Sequence, residues 1–248
     1  MELNGKVGIV TGGCSGIGYA ITKKFLEEGA NVVVADWNEE GNEIIKELGY
    51  SSDRLRFIKT DVSNEESIKE MVDFTVNTFG KIDIAVANAG LPGDGTILDQ
   101  GLDNWHKILK VDLDGVFLTN KYVINSMLDK GIKGSIINMS SIGGLIGFPH
   151  DVTYCAAKGG VVNLTRSAAV KVAEQGIRVN AIAPGYINTP IMEKIPNKAD
   201  IEAAINLHPM KRFGQPEEIA NVCVFLASNK SSFITGVTLP VDGGYTAV

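Results

Sequence analysis

The chain has 248 residues, enough for one large α/β domain with a substantial buried core. Hydrophobic residues make up 44% and aromatics 7%, which is ordinary for a globular protein, and the formal net charge of −6 argues against a nucleic-acid surface, which needs a basic stripe. No apolar run reaches the ~18 residues of a membrane span, and Met1–Lys6 lacks the basic and apolar regions of a signal peptide, so no membrane partner and a cytoplasmic location are expected.

Lys6–Val10 is a short apolar run with strand character. Thr11-Gly12-Gly13-Cys14-Ser15-Gly16-Ile17-Gly18 follows it. Tyr19–Glu28 then places Ile21, Phe25 and Leu26 at helical spacing, with Gly29 as a stop. Strand, glycine-rich turn and helix form the context of a dinucleotide site. Gly12 lets the turn run tight, Gly16 removes a side chain where a pyrophosphate approaches, and Gly18 lets the helix pack closely on the sheet. The helix N-terminus offers free N–H groups and the positive end of its dipole. The spacing is Gly-x-x-x-Gly-x-Gly, so a plain glycine-rich turn is the alternative.

Val32–Ala35 reads as the second strand, and Asp36 ends it, 18 residues past Gly18. A carboxylate near that offset accepts hydrogen bonds from the adenosine ribose hydroxyls. It also repels a 2′-phosphate, by about 4 kcal/mol for two unit charges roughly 4 Å apart at an effective dielectric near 20. Cys14, Ser15, Trp37 and Asn38 supply no cation, so NAD is expected rather than NADP. Asp36 could instead cap the helix after it. Trp37 could pack near an adenine or simply be exposed.

Further strands are read at Leu55–Ile58, Ile82–Val86, Ser135–Met139, Arg178–Ile182 and Thr238–Val241, where Pro240 suits an edge or a strand end. Helical patterns lie between them, including Asn64–Phe79, Asn104–Asp129 and Val152–Gln175. This alternation predicts a Rossmann-like, doubly wound α/β fold: one parallel sheet of about seven strands with helices on both faces, in a single domain over 1–248. The segment Ile187–Arg212 combines Pro190, Pro196 and Pro209 with a short helical piece near Ala199–Asn206. It reads as a substrate lid or as a surface excursion.

Tyr154 and Lys158 lie four residues apart, so on a helix they share one face. A phenol has an unperturbed pKa of about 10. A nearby ammonium favours the phenolate, and a tyrosine tuned this way can pass a proton to or from a substrate oxygen. A solvated helix face would show the same spacing. His106 and His208 are isolated, and no His/Asp/Glu cluster suggests a metal. Cys14, Cys155 and Cys223 are widely spaced, with no zinc-ligand or Cys-x-x-Cys pattern, and Cys14 and Cys155 read as buried small residues.

The series Thr11-Gly12-x-x-x-Gly16-x-Gly18, Asp61-Val62, Asn88-Ala89-Gly90, Ser140-Ser141, Tyr154-x-x-x-Lys158, Pro184-Gly185 and Val241-Asp242-Gly243-Gly244 resembles the short-chain dehydrogenase/reductase family from about Leu3 to Tyr245. The resemblance implies that Asp61 and Val62 hold the adenine and that Asn88, Ala89 and Gly90 line the ribose and steady the sheet. It implies that the backbone at Ile187, within Pro184–Thr189, meets the nicotinamide carboxamide, and that Thr189 meets the carboxamide or a phosphate. Ser141, thirteen positions before Tyr154, matches the family's serine and would orient a substrate oxygen. Tyr154 would exchange the proton, and Lys158 would hold the nicotinamide ribose and lower the tyrosine pKa. Where the family has an asparagine that completes a proton relay, this chain has Asp112, which when ionised accepts hydrogen bonds but donates none. A carboxylate there could raise the Lys158 pKa, or it could be a helix residue satisfied by local backbone.

His150 and Phe148 could edge the substrate pocket, as could Leu91, Gly143, Tyr186 and Met192, or each could be loop packing. The expected activity is interconversion of a secondary alcohol and a ketone with NAD as cofactor, in a homotetramer joined through the long helices and the C-terminal strand. Two alternatives stand beside it. One is a 3-oxoacyl-carrier-protein reductase, for which Arg166, Lys171 and Arg178 could supply a docking patch. The other is an NAD-binding sensor without turnover.

Overall fold

The computed structural model describes residues 1–93, 95–190 and 198–248. Its strands are β1 (Val7–Thr11), β2 (Asn31–Asp36), β3 (Leu55–Lys59), β4 (Ile84–Ala87), β5 (Ser135–Met139), β6 (Arg178–Pro184) and β7 (Thr238–Val241). They form one sheet in the order β3-β2-β1-β4-β5-β6-β7, with every neighbouring pair parallel. Pro240 lies on the edge strand β7, where its missing N–H leaves no inner ladder bond unmade.

The helices are α1 (Gly16–Glu27), α2 (Gly41–Lys46), α3 (Glu65–Phe79), α4 (Leu102–Leu109), α5 (Gly115–Asp129), α6 (Val152–Val172), α7 (Lys198–Asn206) and α8 (Pro216–Ala227). Side-chain alternation along the strands builds a core on each face of the sheet. Val10, Val32, Val34, Val86 and Ile137 point to one side, where Ile21 and Phe25 of α1 and Ile219 and Cys223 of α8 close over them. Ile9, Val33, Ala35, Ala85 and Ile136 point to the other, under Ile68 and Met71 of α3, Val123 and Met127 of α5, and Ala169 and Val172 of α6. Side chains as large as Phe25 and Met71 are fully buried; each such burial contributes about 1.5–3 kcal/mol.

The pattern read over Asn104–Asp129 is helical but not uniform. Between α4 and α5, residues Lys110–Asp114 form a π-turn. Such a turn holds one extra residue and often marks a functional site. Helix α8 lies outside the sequence-predicted elements named above. Pro216 opens it, Glu218 accepts the Gln215 N–H at 2.8 Å, and Ile219, Ala220, Cys223 and Leu226 recur on its buried face. Of the segment predicted as a lid, residues 191–197, including Met192, lie outside the described residues.

Candidate active site

Strand order reverses between β1 and β4, and in an open α/β sheet the crevice at that point takes the ligand. The two strand ends are clasped together. Thr11 Oγ1 accepts the N–H groups of Asn88 and Ala89, each at 3.0 Å, while Asn88 Nδ2 donates to the carbonyls of Thr11 (3.0 Å) and Gly12 (3.2 Å). Thr11 itself is buried and is not among the cleft-lining residues; it braces the strands behind the cleft. Gly12 turns the chain at φ +64, and a Cβ on Gly18 would stand 2.0 Å from the Gly12 carbonyl, so only glycine fits there. No side chain caps the start of α1, so its first N–H groups face the cleft unpaired by a side chain. This uncapped cradle fits a dinucleotide pyrophosphate.

From the cradle a cleft of about 1700 Å³ runs in two directions. One arm is walled by Ser15, Gly16, Ile17, Asp36, Trp37, Asp61 and Val62. Asp36 is buried, and its carboxylate accepts the N–H of Cys14 at 3.0 Å and of Asn38 at 3.1 Å. The cap expected as an alternative role is therefore a bond to the turn after β2 and to the glycine loop, made while the carboxylate still lines the cleft. Burial, with Asp36 alongside, pushes the Cys14 thiol up to about 12, so it is not a nucleophile at neutral pH. Trp37 is 77% exposed at the rim.

The other arm passes Asn88, Ala89 and Gly90 to Asp112, Ser141, Tyr154 and Lys158, and ends against Pro184, Gly185, Tyr186, Ile187 and Thr189. Tyr154 and Lys158 share one face of α6, with Lys158 Nζ 5.4 Å from the centre of the tyrosine ring. Lys158 is buried; its Nζ donates to the Met139 carbonyl at 3.2 Å, and the Ser140 hydroxyl donates to the lysine's own carbonyl at 3.0 Å. Ser141 caps the turn Ile142–Gly144 by accepting the Gly143 N–H at 3.1 Å, which leaves its O–H to donate into the cleft.

The π-turn carries Asp112 inward. Its Oδ1 accepts the Leu91 N–H at 2.7 Å, and its Oδ2 lies 3.1 Å from Lys158 Nζ. That second contact is a buried ion pair. Burial works against the Lys158 ammonium, but Asp112 and Tyr154 more than offset it and hold the lysine above its usual range. Gly90 must be small here: a Cβ would stand 3.0 Å from Asp112 Oδ2 and 3.3 Å from Lys158 Nζ.

The family model described as Enoyl-(Acyl carrier protein) reductase matches residues 12–246 of this chain. The chain belongs to the short-chain dehydrogenase/reductase family. It is 41% identical to the 3-oxoacyl-[acyl-carrier-protein] reductase of Thermotoga maritima, covering 98% of this chain and 99% of that one. It is 42% identical to cis-4-hydroxycyclohexanecarboxylate dehydrogenase of Sinomonas cyclohexanicum, over 98% and 97% of the two chains. It is also 42% identical to the NADP-dependent (R)-specific alcohol dehydrogenase of Lentilactobacillus kefiri, over 99% and 98%. Short-chain dehydrogenase/reductases are oxidoreductases that use a nicotinamide cofactor, and the cradle fits one.

In this short-chain dehydrogenase/reductase the substrate end differs from the sequence reading at two histidines. His150 is exposed and is not among the cleft-lining residues. Phe148 lines the cleft instead, with its ring against Gly143. His208, read as isolated, is buried and central. Its Nε2 accepts the Tyr186 N–H at 3.3 Å, so Nδ1 carries the hydrogen donated to the Ala204 carbonyl at 2.9 Å. Tyr186, Phe213 and Tyr245 surround it, with ring centres 5.1–6.2 Å from it. Burial, with Tyr245 and Asp151 nearby, pushes the Tyr186 phenol above its ordinary range. Arg178 is no docking cation: its guanidinium donates to the carbonyls of Leu226 (2.7 Å) and Ser228 (3.2 Å). Among the described residues, no His/Cys/Asp/Glu cluster could hold a metal ion, and no helix is long and apolar enough to cross a membrane.

Proposed function

We propose that the chain interconverts a secondary alcohol and a ketone with NAD(H), using Tyr154 as the proton donor and acceptor. The observation that carries this reading is that Ser141, Tyr154 and Lys158 wall the same cleft that begins at the glycine cradle. A bound nicotinamide would supply the hydride acceptor or donor. Ser141 orients the substrate oxygen through its O–H. Tyr154 gives that oxygen a proton or takes one from it, and the Lys158 ammonium stabilises negative charge as it develops on the phenol oxygen.

The preference for NAD rests on the adenosine arm. Asp36, Glu39 and Glu40 line it beside Lys59, which is paired with Glu39; Lys107 and Lys110 line the same cleft. A 2′-phosphate beside Asp36 would meet carboxylates, with Lys59 already paired. The relative named as NADP-dependent is the counter-example to beat. A panel of secondary alcohols and ketones, followed by nicotinamide absorbance with each cofactor, tests the reading. Tyr154→Phe is expected to lose turnover by about 10²–10⁴-fold while still binding NADH. Faster turnover with NADPH would overturn the cofactor choice, and an unchanged Tyr154→Phe rate would overturn the chemistry.

A carrier-protein reductase is the second reading, because the Thermotoga maritima relative bears that name. The bonding of Arg178 to backbone carbonyls weakens it. A homotetramer is proposed with either reading, since Phe117 of α5, Val170 of α6 and Val237 beside β7 stand exposed on the elements that would meet. A monomeric mass in sedimentation equilibrium would reject it.

A further inference from the structure

The buried ion pair at the end of the cleft has a consequence for which form of the cofactor is held. Lys158 must be charged to act on Tyr154, yet a lone buried ammonium beside the reaction centre repels a nicotinamide ring in its oxidised state. That ring is a cation when oxidised and neutral when reduced. We propose that Asp112 offsets the charge of Lys158 and thereby biases the site toward the oxidised dinucleotide, making this chain an alcohol oxidiser in preference to a ketone reducer. The inference rests on the nicotinamide reading given above.

Three observations carry it. Asp112 is fully buried and lines the cleft, so its charge acts through protein and not through water. Its Oδ2 is 3.1 Å from Lys158 Nζ, close enough for the two charges to cancel at a distance. Its other oxygen accepts the Leu91 N–H at 2.7 Å, which fixes the carboxylate beside the ammonium. The cleft's other ionisable lining groups include Asp151 and the phenols of Tyr154 and Tyr186, with Asp103, His106, Lys107 and Lys110 on the helical run that leads to Asp112. A neutral side chain at position 112, such as the asparagine of the family pattern, would leave the pocket with one more positive charge. The opposite-charge attraction that keeps Lys158 protonated points the same way.

Isothermal titration of NAD⁺ and NADH into the apoprotein, at one pH and ionic strength, reads the bias as the ratio of the two dissociation constants. Contacts common to both forms cancel in that ratio. In Asp112→Asn the ratio Kd(NAD⁺)/Kd(NADH) is expected to rise about tenfold, the size of one unit charge felt across roughly 10 Å at an effective dielectric near 20. Asp112→Ser, smaller and equally neutral, is expected to shift it the same way. A ratio that stays within about twofold of wild type, or that falls, in whichever variant folds, overturns the proposal. Loss of the cooperative thermal melt in both variants also overturns it, because Asp112 would then belong to the frame. Wild-type protein that binds neither dinucleotide would instead remove the oxidoreductase reading beneath it.

Discussion

Replacing Thr11 by Val tests whether the clasp between β1 and β4 holds the cofactor crevice together. Valine keeps the shape and removes the oxygen that accepts two backbone N–H groups at 3.0 Å, those of Asn88 and Ala89. An unpaired buried amide costs about 1–3 kcal/mol. Both amides are only partly buried, so the low end applies, and a new buried methyl returns up to about 1 kcal/mol. The net loss is about 1–2 kcal/mol, which for a chain of this size lowers Tm by roughly 2–8 °C. Urea unfolding and thermal melts measure both, and NADH affinity is expected to fall with them. Thr11→Ser keeps the oxygen and should stay within about 1 kcal/mol of wild type. If the valine variant matches wild type, or the serine variant falls as far as valine, the clasp does not brace the site.

Gly18→Ala places a Cβ 2.0 Å from the Gly12 carbonyl; it is expected to destabilise by about 2–3 kcal/mol or more and to lose dinucleotide binding, and a variant that melts and binds as wild type refutes this. Gly90→Ala presses on the Asp112–Lys158 pair at 3.0 and 3.3 Å. Its kcat should fall well before its melting temperature does, and equal kcat would refute it. Bidentate pairing with Arg212 and the Gln215 N–H hold the Glu218 carboxyl down at about 2. Because the folded value is depressed, this stabilisation is present above the ordinary carboxylate range and is lost as pH falls toward 2. Both side chains are more than a third exposed, so it amounts to under about 1 kcal/mol. Arg212→Ala should flatten that part of the acid-unfolding curve, and an unchanged acid limb refutes the assignment.

The sheet was legible because buried parallel strands leave continuous apolar runs, and each of the seven appears at its expected place. Gly12, Gly16, Gly18 and Asp36 were legible because turn, cradle and offset are set by local spacing. Helix α8 carries a signal of its own, with Pro216 and Glu218 ahead of Ile219, Ala220 and Cys223. The π-turn at Lys110–Asp114 leaves no such mark, since one extra residue in a helical pattern hardly changes its period. The burial of His208 and the bonding of Arg178 to distant carbonyls depend on contacts across the fold, which spacing does not encode. Asp112 is legible as a departure from the family pattern, with attraction to Lys158 as one of its two expected roles; the 3.1 Å approach itself is set by the fold.

The extra residue in the π-turn also uncouples chain length from helix facing. The wider turn takes up one residue while α4 and α5 keep nearly the facing of one continuous helix. Val123 and Met127 therefore stay turned to the sheet although the run holds one residue more than plain α-winding would. A one-residue deletion within Lys110–Asp114 that restores α-winding is expected to leave that packing in place while withdrawing the Asp112 carboxylate from Lys158.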